Sequence, residues 1–387
     1  MTDHAGSWAD TGLAWLTGDP DGPGDVSRAA VLEHARAIAA PMRQDAAALL
    51  AGRAALTGLR RRGATSAGGA TRLLSATDGW VAATLSRPQD VDSVAAVVES
   101  NAMPTDPWRA LADFAARTSA SEFADRAQLL GIPASALGAV PPAEPRVTRY
   151  WAGDDRHIDA DLLVVDLSSM WAGPLCGMIL RELGASVVKV ESPRRPDGTR
   201  LGDSSFFTWM NGGKHVCRAD LHDDTAAVAR LLDAADVVIE ASRPRALAQT
   251  GLDAASRAPR TGRVWVRITG YGPDHPDRVA FGDDAAVAGG LVGAGAHGPV
   301  FCGDAIADPL TGITAAHQVI ESLRRGGGEV IDVAMAEVAA TYAALPITPD
   351  PPSYANVPPA QPAIPITPPP DAAFVEQLVH DRSATPC

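Results

Sequence analysis

The chain has little cysteine. Cys176, Cys217, Cys302 and Cys387 are spread over 387 positions without a CxxC pair or a Cys/His spacing that would close a zinc site. That excludes a disulfide-stapled fold and a zinc module, and it fits reduced thiols in a cytoplasm. Long apolar runs are missing too. No stretch of about 18 consecutive apolar residues occurs, and the opening MTDHAGSWADTG lacks the basic and apolar regions of a signal peptide. A cytoplasmic chain with no membrane partner is expected. Positive charge is scarce: 33 Lys and Arg against 46 Asp and Glu give −13, a balance that repels nucleic-acid backbones and anionic lipid. No nucleic acid partner is expected. Also absent are a GxGxxG turn for a dinucleotide, a Ser or Cys nucleophile motif involving any of the nine histidines, and a repeat of solenoid period.

What is present reads as ordinary globular usage, 46% hydrophobic and 20% charged, in a chain too long for one comfortable core. We expect an α/β protein: a large domain with a Rossmann-like, doubly wound parallel sheet, and a smaller α+β domain. Residues 1–150 read as the smaller, mostly helical segment. Its helical run over 31–56 is interrupted by Pro41, whose ring and missing N–H disrupt a helix interior. TRLLSATDGWVAATLSRP at 71–88 sets β-branched and aromatic residues around Asp78-Gly79, which predicts a hairpin. Amphipathic stretches follow at 108–118 and 121–130, the second with Ser121 as N-cap and Gly131 as stop, and 141–147 reads as a linker.

From 161 onward, strand-length apolar runs (162–168, 186–192, 237–241, 263–269, 329–335) alternate with helical patterns (174–183, 226–235, 309–325). The spacing suits βαβ units, so 151–345 is read as the large domain, with about four to six parallel strands. Beyond Leu345 the proline density permits polyproline II or extended chain. Residues 346–387 are read as an arm that docks through a short helix at 373–380, with a free tail as the alternative.

In a doubly wound sheet, ligands settle beyond the carboxyl ends of the strands. The first such loop, 168–174, reads SSMWAGP, small enough for close approach of a ligand or simply a tight strand-to-helix turn. The second places Arg194, Arg195 and Arg200 within seven residues of an acidic chain. Guanidinium forks match phosphate oxygens, and solvated surface charge is the plainer alternative. Arg243 and Arg245 follow the strand at 237–241, and two basic loops on one sheet edge favour a phosphorylated ligand.

The most specific signal is VFCGDAIADPLTG at 300–312, which leads into a helix. Asp308, with Pro309 behind it, is an N-cap candidate, a role that stabilises a helix by about 0.5–2 kcal/mol. The same backbone donors would keep a carboxylate ionised and able to attack an acyl carbon. Gly282-Asp283-Asp284 precedes a glycine-rich stretch at 286–298, read as a flap or a loop around a helix end, with Asp283 as an acid–base candidate. Cys302 reads as buried filler, with nucleophile as the alternative. His157, His215 and His297 read as surface or core-edge residues.

Taken in order, VVDLSSMWAGPLCGMILRELGASVVKVESPRRPDGTR, ADVVIEASRPRALAQTGL, RITGYG and GDAIADPLTGITAAHQVIESLRRGGGEVIDVAM resemble the family III CoA-transferases, the CaiB/BaiF group, over 162 to about 340. The resemblance implies transfer of CoA from an acyl-CoA donor to a small carboxylic acid, with coenzyme A as substrate and no metal. It makes the aspartate of the D-x-x-x-G motif, here Asp308 with Gly312, the nucleophile that carries the acyl group. It also implies a homodimer with interlocked, ring-like chains. Met170, Trp171, Ala172, Arg194, Arg195, Arg243 and Tyr271 are then the residues expected along the CoA path.

Several positions depart from the family pattern. Ser192 stands where V-K-V-E-R-P has arginine, and the basic character moves to Arg194 and Arg195. The E-N-x-R-P-G turn becomes Glu240-Ala241-Ser242-Arg243-Pro244-Arg245, which loses an asparagine and gains an arginine. Gly282-Asp283-Asp284 replaces the G-H-D of the family's racemases and argues against α-methylacyl-CoA racemase chemistry. LLSATDGWVAATLSRP and LLGIPASALGAV resemble small-domain segments that ordinarily follow the large domain, whereas here they precede it. That order suggests a rearranged or partly duplicated chain. Two other functions stay open: a lyase, dehydratase or racemase using Asp308 and Asp283 as acid and base, and a non-catalytic CoA-binding relative.

Overall fold

Valine-rich runs such as Leu163–Asp166 and Ser186–Glu191, apolar on both faces, can be buried only inside a sheet whose two faces are covered. They lie there in the computed structural model, which describes residues 4–242, 244–348, 354–365, 375–377 and 380. Among the described residues the strands, in chain order, are β1 Thr71–Ser75, β2 Trp80–Thr84, β3 Ala134–Ala136, β4 Arg146–Arg149, β5 Leu163–Asp166, β6 Ser186–Glu191, β7 His215–Arg218, β8 Val237–Glu240, β9 Val264–Thr269, β10 Val292–Gly295, β11 Gly298–Phe301 and β12 Glu329–Ala334. The chain divides into two compact units. The first comprises Met1–Glu144, Arg278–Leu310 and Ala334–Pro362; the second comprises Pro145–Asp277, Thr311–Val333 and Ala363–Cys387.

The second unit holds a seven-stranded sheet of order β4-β12-β9-β8-β5-β6-β7. β5 pairs in parallel with both β6 and β8, so Val165 sits between Val188 and Val238. Parallel pairing continues outward to β7 and β9. The chain therefore winds first to one side of β5 and then to the other, as the doubly wound reading requires, and the strand order reverses between β5 and β8. Leu163, Val165, Val188, Val238 and Trp265 pack with Val228, Leu231 and Leu232 of the helix Thr225–Ala234. Each such burial is worth roughly 1.5–3 kcal/mol. The sheet is wider than the sequence suggests because β4, antiparallel to β12, lies partly in the stretch read as linker. All four of its residues are exposed, so it shows no buried alternation to read, and besides the backbone ladder Arg149 pairs with Glu329 of β12 at 2.8 Å.

In the first unit, β1 and β2 form the hairpin that Asp78-Gly79 predicts, with Ser75 opposite Trp80, and β3 adds to β2. Leu111, Phe114 and Phe123 pack against Val81 and Ala83. The cap of the helix Ala120–Leu129 is Ser119, whose Oγ accepts from Glu122 N at 3.2 Å; Ser119 is extended, whereas Ser121 already lies inside the helix. Pro41 falls in a 3-10 turn, Ala40–Met42, that ends the helix Ala29–Ala39; Asp45 then caps the helix Ala46–Thr57, accepting from Ala47 N at 3.0 Å. Residues 286–298 are ordered structure, not a flap: they hold the end of the helix Gly282–Ala288 and most of the hairpin β10–β11. Glycine-rich strands carry too few side chains to show a period.

Parts of the proline-rich arm pack closely. In the first unit, Pro359 lies against Gly12, and Asn356 Oδ1 accepts from Arg61 Nη1 at 3.3 Å. In the second, Pro365 lies against Gly212 and Val375 is buried in the core. Most of the terminal helix expected at 373–380 lies outside the described residues.

Candidate active site

Where β5 ends in the second unit, the chain turns through 167–171 into the helix Ala172–Glu182. Met170 takes φ +75°, a left-handed conformation that costs a residue with a Cβ roughly 1–2 kcal/mol. A buried network holds this turn. Asp166 Oδ1 accepts the Ser168 N–H at 2.9 Å and the Ser168 hydroxyl, and Oδ2 accepts from Lys214 Nζ at 2.9 Å. Lys214 also donates to Pro174 O at 2.8 Å and Asn211 Oδ1 at 3.0 Å. Lys189, from β6, donates to Ser168 O at 2.8 Å and pairs with Asp197 Oδ2 at 3.0 Å. Asp197 Oδ1 in turn accepts the Met170 N–H at 3.2 Å.

These two ion pairs are sealed, with all four side chains 0% exposed. Burial pushes the Lys214 ammonium down to about 8, against the pull of Asp166. Burial alone would raise the Asp166 carboxyl, but Lys214, Lys189 and the Ser168 hydroxyl outweigh it and hold the group below its ordinary range. This network has almost no signature in the sequence. Its one visible sign was Lys189, a cation set between Val188 and Val190 in the run SVVKVES.

The residues expected to line the CoA path are placed unequally. Met170, Arg194 and Arg195 are exposed, and Arg194 pairs with Asp223. An exposed pair of this kind is worth about 0–1 kcal/mol, so Arg194 is easily released to a ligand. Arg200 is committed instead to a fork on Glu191, at 2.6 and 2.7 Å. Trp171, Ala172 and Tyr271 are buried, with Trp171 edge-on to Phe206. Arg243 lies outside the described residues, and its neighbour Arg245 pairs with Asp277 at 3.1 Å.

Asp308 lies in the first unit. The helix Ala307–Arg324 begins two residues earlier than expected, so Asp308 belongs to its first turn instead of preceding it as a cap. The side chain is half-buried, and its Oδ2 accepts the Gly282 N–H at 3.1 Å. Gly282 is required there: a Cβ would come within 3.0 Å of Ala305 O and Asp308 Oδ2. Gly312 has a packing reason of its own within the second unit, since a Cβ there would meet Ala172 O at 2.7 Å.

Around this turn the first unit buries three more carboxylates. Asp283 accepts the Ala305 N–H at 3.0 Å through Oδ1 and the Thr71 hydroxyl at 3.3 Å through Oδ2. Asp284 Oδ1 accepts from Phe281 N at 2.9 Å and from the Thr84 hydroxyl at 3.1 Å. Asp304 is gripped by Arg53, at 2.8 Å from Nε and 2.5 Å from Nη2. Burial pushes Asp283 up to about 6, helped by Asp304 and opposed by Arg53, and burial pushes Asp284 up to about 8. Asp283 is thus a buried carboxyl with both oxygens engaged. Cys302 is buried, and burial pushes its thiol up to about 12, which disfavours the thiolate.

The family profile described as CoA-transferase family III matches residues 160–365, a little over half of the chain. The chain belongs to CoA-transferase family III. Among curated members, the succinate–glutarate CoA-transferase of Agrobacterium fabrum is 33% identical over 200 residues, covering 45% of this chain and 50% of that protein. The succinyl-CoA–D-citramalate CoA-transferase of Chloroflexus aurantiacus is 31% identical over 196 residues, covering 46% and 49%. A solved structure of a CaiB/BaiF family protein from Brucella suis matches at 30% identity and TM-score 0.45, covering 49% of this chain and 56% of that one. The chain spans about half the length of the curated family members it matches. Among the described residues, no group of His, Cys, Asp and Glu is arranged to hold a metal ion, and no helix is long and apolar enough to cross a membrane.

Proposed function

We propose that the protein transfers CoA from an acyl-CoA donor to a small carboxylic acid, with Asp308 as the acyl carrier. The supporting observation is a half-buried carboxylate in the family's D-x-x-x-G position, at the head of a helix, with the Gly282 N–H on one oxygen. An Asp308 oxygen attacks the thioester carbonyl; the C–S bond breaks, and the products are an aspartyl mixed anhydride and CoA thiolate. The thiolate then attacks the aspartyl carbonyl and releases the donor acid, leaving an aspartyl-CoA thioester. The acceptor carboxylate reverses these two steps, forming its own anhydride and then its own CoA thioester, and Asp308 is regenerated. Backbone N–H groups stabilise each oxyanion, and exclusion of water protects the anhydride.

Met170, Arg194 and Arg195 would meet the CoA phosphates and pantetheine, with Arg243 as a further contact; Trp171, Ala172 and Tyr271 would shape the path from behind. We further propose that the reaction runs in a cytoplasmic homodimer, an expectation that rests on the family resemblance. The acid–base alternative has no comparable support, because both Asp283 oxygens are already engaged. The test is CoA exchange between a panel of acyl-CoAs and free acids. Wild-type protein should turn over, and Asp308→Asn should lose about 10⁴-fold or more in kcat. Unchanged turnover in Asp308→Asn, or none in the wild type on any pair, contradicts the proposal.

A further inference from the structure

We infer that Arg53 is the positioning residue for Asp308: from a helix outside the family-matched residues, it clamps Asp304 and so fixes the turn that sets Asp308 at the head of its own helix. The inference rests on the acyl-carrier role and deepens it. The family match begins at residue 160, and Arg53 lies on the helix Ala46–Thr57. Its guanidinium meets both oxygens of Asp304, a side chain with 0% exposure.

The turn needs such a clamp because it is unfavourable on its own. Ala305 takes φ +43°, a left-handed conformation that residues with a Cβ rarely adopt, and it persists only where surrounding contacts impose it. Those contacts come largely from the N-terminal part of the chain. Gly303 N–H donates to Thr17 Oγ1 at 2.9 Å, and Phe301 N–H donates to Gly63 O at 3.0 Å. Ala305 N–H donates to Asp283, which itself accepts from Thr71. Arg53 is the cation that pairs with this cluster at Asp304, and its charge acts on Asp304, Asp283 and Asp308 together. Lysine could supply the charge but not the planar two-point grip. Residues 17–71 therefore supply what holds the family's motif in shape, which gives the N-terminal segment a part in the reaction.

The test compares the intact chain with Arg53→Met, Arg53→Lys and the double variant Arg53→Met/Asp304→Asn, in which no buried carboxylate is left unpaired at position 304. Three quantities are read: the rate of Asp308 acylation in a single turnover, the KM for acyl-CoA, and amide hydrogen exchange in the peptide 303–309. Arg53→Met should slow acylation about 100-fold, the cost of roughly an ångström of misplacement. Its KM should stay within about threefold, and exchange at 303–309 should speed up. Arg53→Lys should recover part of the rate. The double variant should regain thermal stability but not the rate. Recovery of the rate together with stability would reduce Arg53 to neutralising a charge and overturn the inference, as would unchanged exchange at 303–309 in Arg53→Met. Wild-type protein that never acquires an acyl group would sink the acyl-carrier role alone, and the exchange measurement would still decide the clamp.

Discussion

In the second unit, Lys189 with Asp197 and Lys214 with Asp166 set two cations against two anions, all sealed from water. In the first, Asp304 is clamped by Arg53, while Asp283 and Asp284 are buried on neutral hydrogen-bond donors. Both clusters stand behind a turn with a left-handed residue, Met170 in one unit and Ala305 in the other. The balanced cluster pairs each cation with an anion and acts as a rigid peg under the strand-end loop. The unbalanced one cannot keep all its carboxylates ionised, so Asp283 and Asp284 hold protons more tightly than exposed aspartates do. Buried charge thus serves as scaffold where it is paired, and it leaves a titrating reserve where it is not.

The comparison is broken most forcefully in the balanced cluster. Lys214→Met leaves Asp166 buried without its partner and should destabilise the second unit by about 3–5 kcal/mol, whereas replacing both residues with apolar ones should recover most of that. Urea titration of the intact chain checks this, and a loss under about 1 kcal/mol would show the pair to be expendable. In the first unit, Gly282→Ala forces a Cβ against Ala305 O and Asp308 Oδ2. It should cost about 1–3 kcal/mol and slow Asp308 acylation about 100-fold. Equal effects on rate and KM would argue against displacement of Asp308.

A smaller effect sharpens the contrast in titration. Asp284 binds its proton up to about pH 8 in the folded chain, far above an unfolded aspartate. The folded state therefore binds more protons than the unfolded state between roughly pH 4 and 8, and stability falls as pH rises through that window. Melting temperature should drop by a few degrees between pH 6 and pH 8.5, and Asp284→Asn should flatten the slope. A slope of the opposite sign would remove the titrating reserve from the account. Smallest of all, Arg194→Ala breaks an exposed pair and should change stability by less than about 0.5 kcal/mol. It should raise the KM for acyl-CoA a few-fold at low salt, with the difference shrinking as salt is added.

The sequence shows the parallel strands because runs buried on both faces are dominated by apolar residues, as in LLVVD and SVVKVE, where the few charges are paired inside the fold. It shows the β1–β2 hairpin because Asp78-Gly79 suits a tight turn. Asp308 is legible because its motif is contiguous. Missing from the sequence reading are features with no local pattern: β4, an exposed edge strand joined to β12 by backbone bonds and the Arg149–Glu329 pair, and β10–β11, whose glycines have no faces. The Arg53–Asp304 grip joins residues 251 apart in the chain, so no spacing rule reaches it. The basic edge reads only in part, since an arginine's company decides its role: Arg200 is locked onto Glu191, while Arg194 stays within reach of solvent.

The central claim is that an Asp308 oxygen joins the acyl group and is afterwards exchanged. It is tested by incubating the protein with an acyl-CoA and an acceptor acid whose carboxylate carries ¹⁸O, then weighing the peptide that contains Asp308. The covalent route passes an acceptor oxygen into the aspartate, so that peptide should gain about 2 Da for each oxygen exchanged, localised to Asp308 by fragmentation. Turnover that leaves the peptide mass unchanged would contradict it.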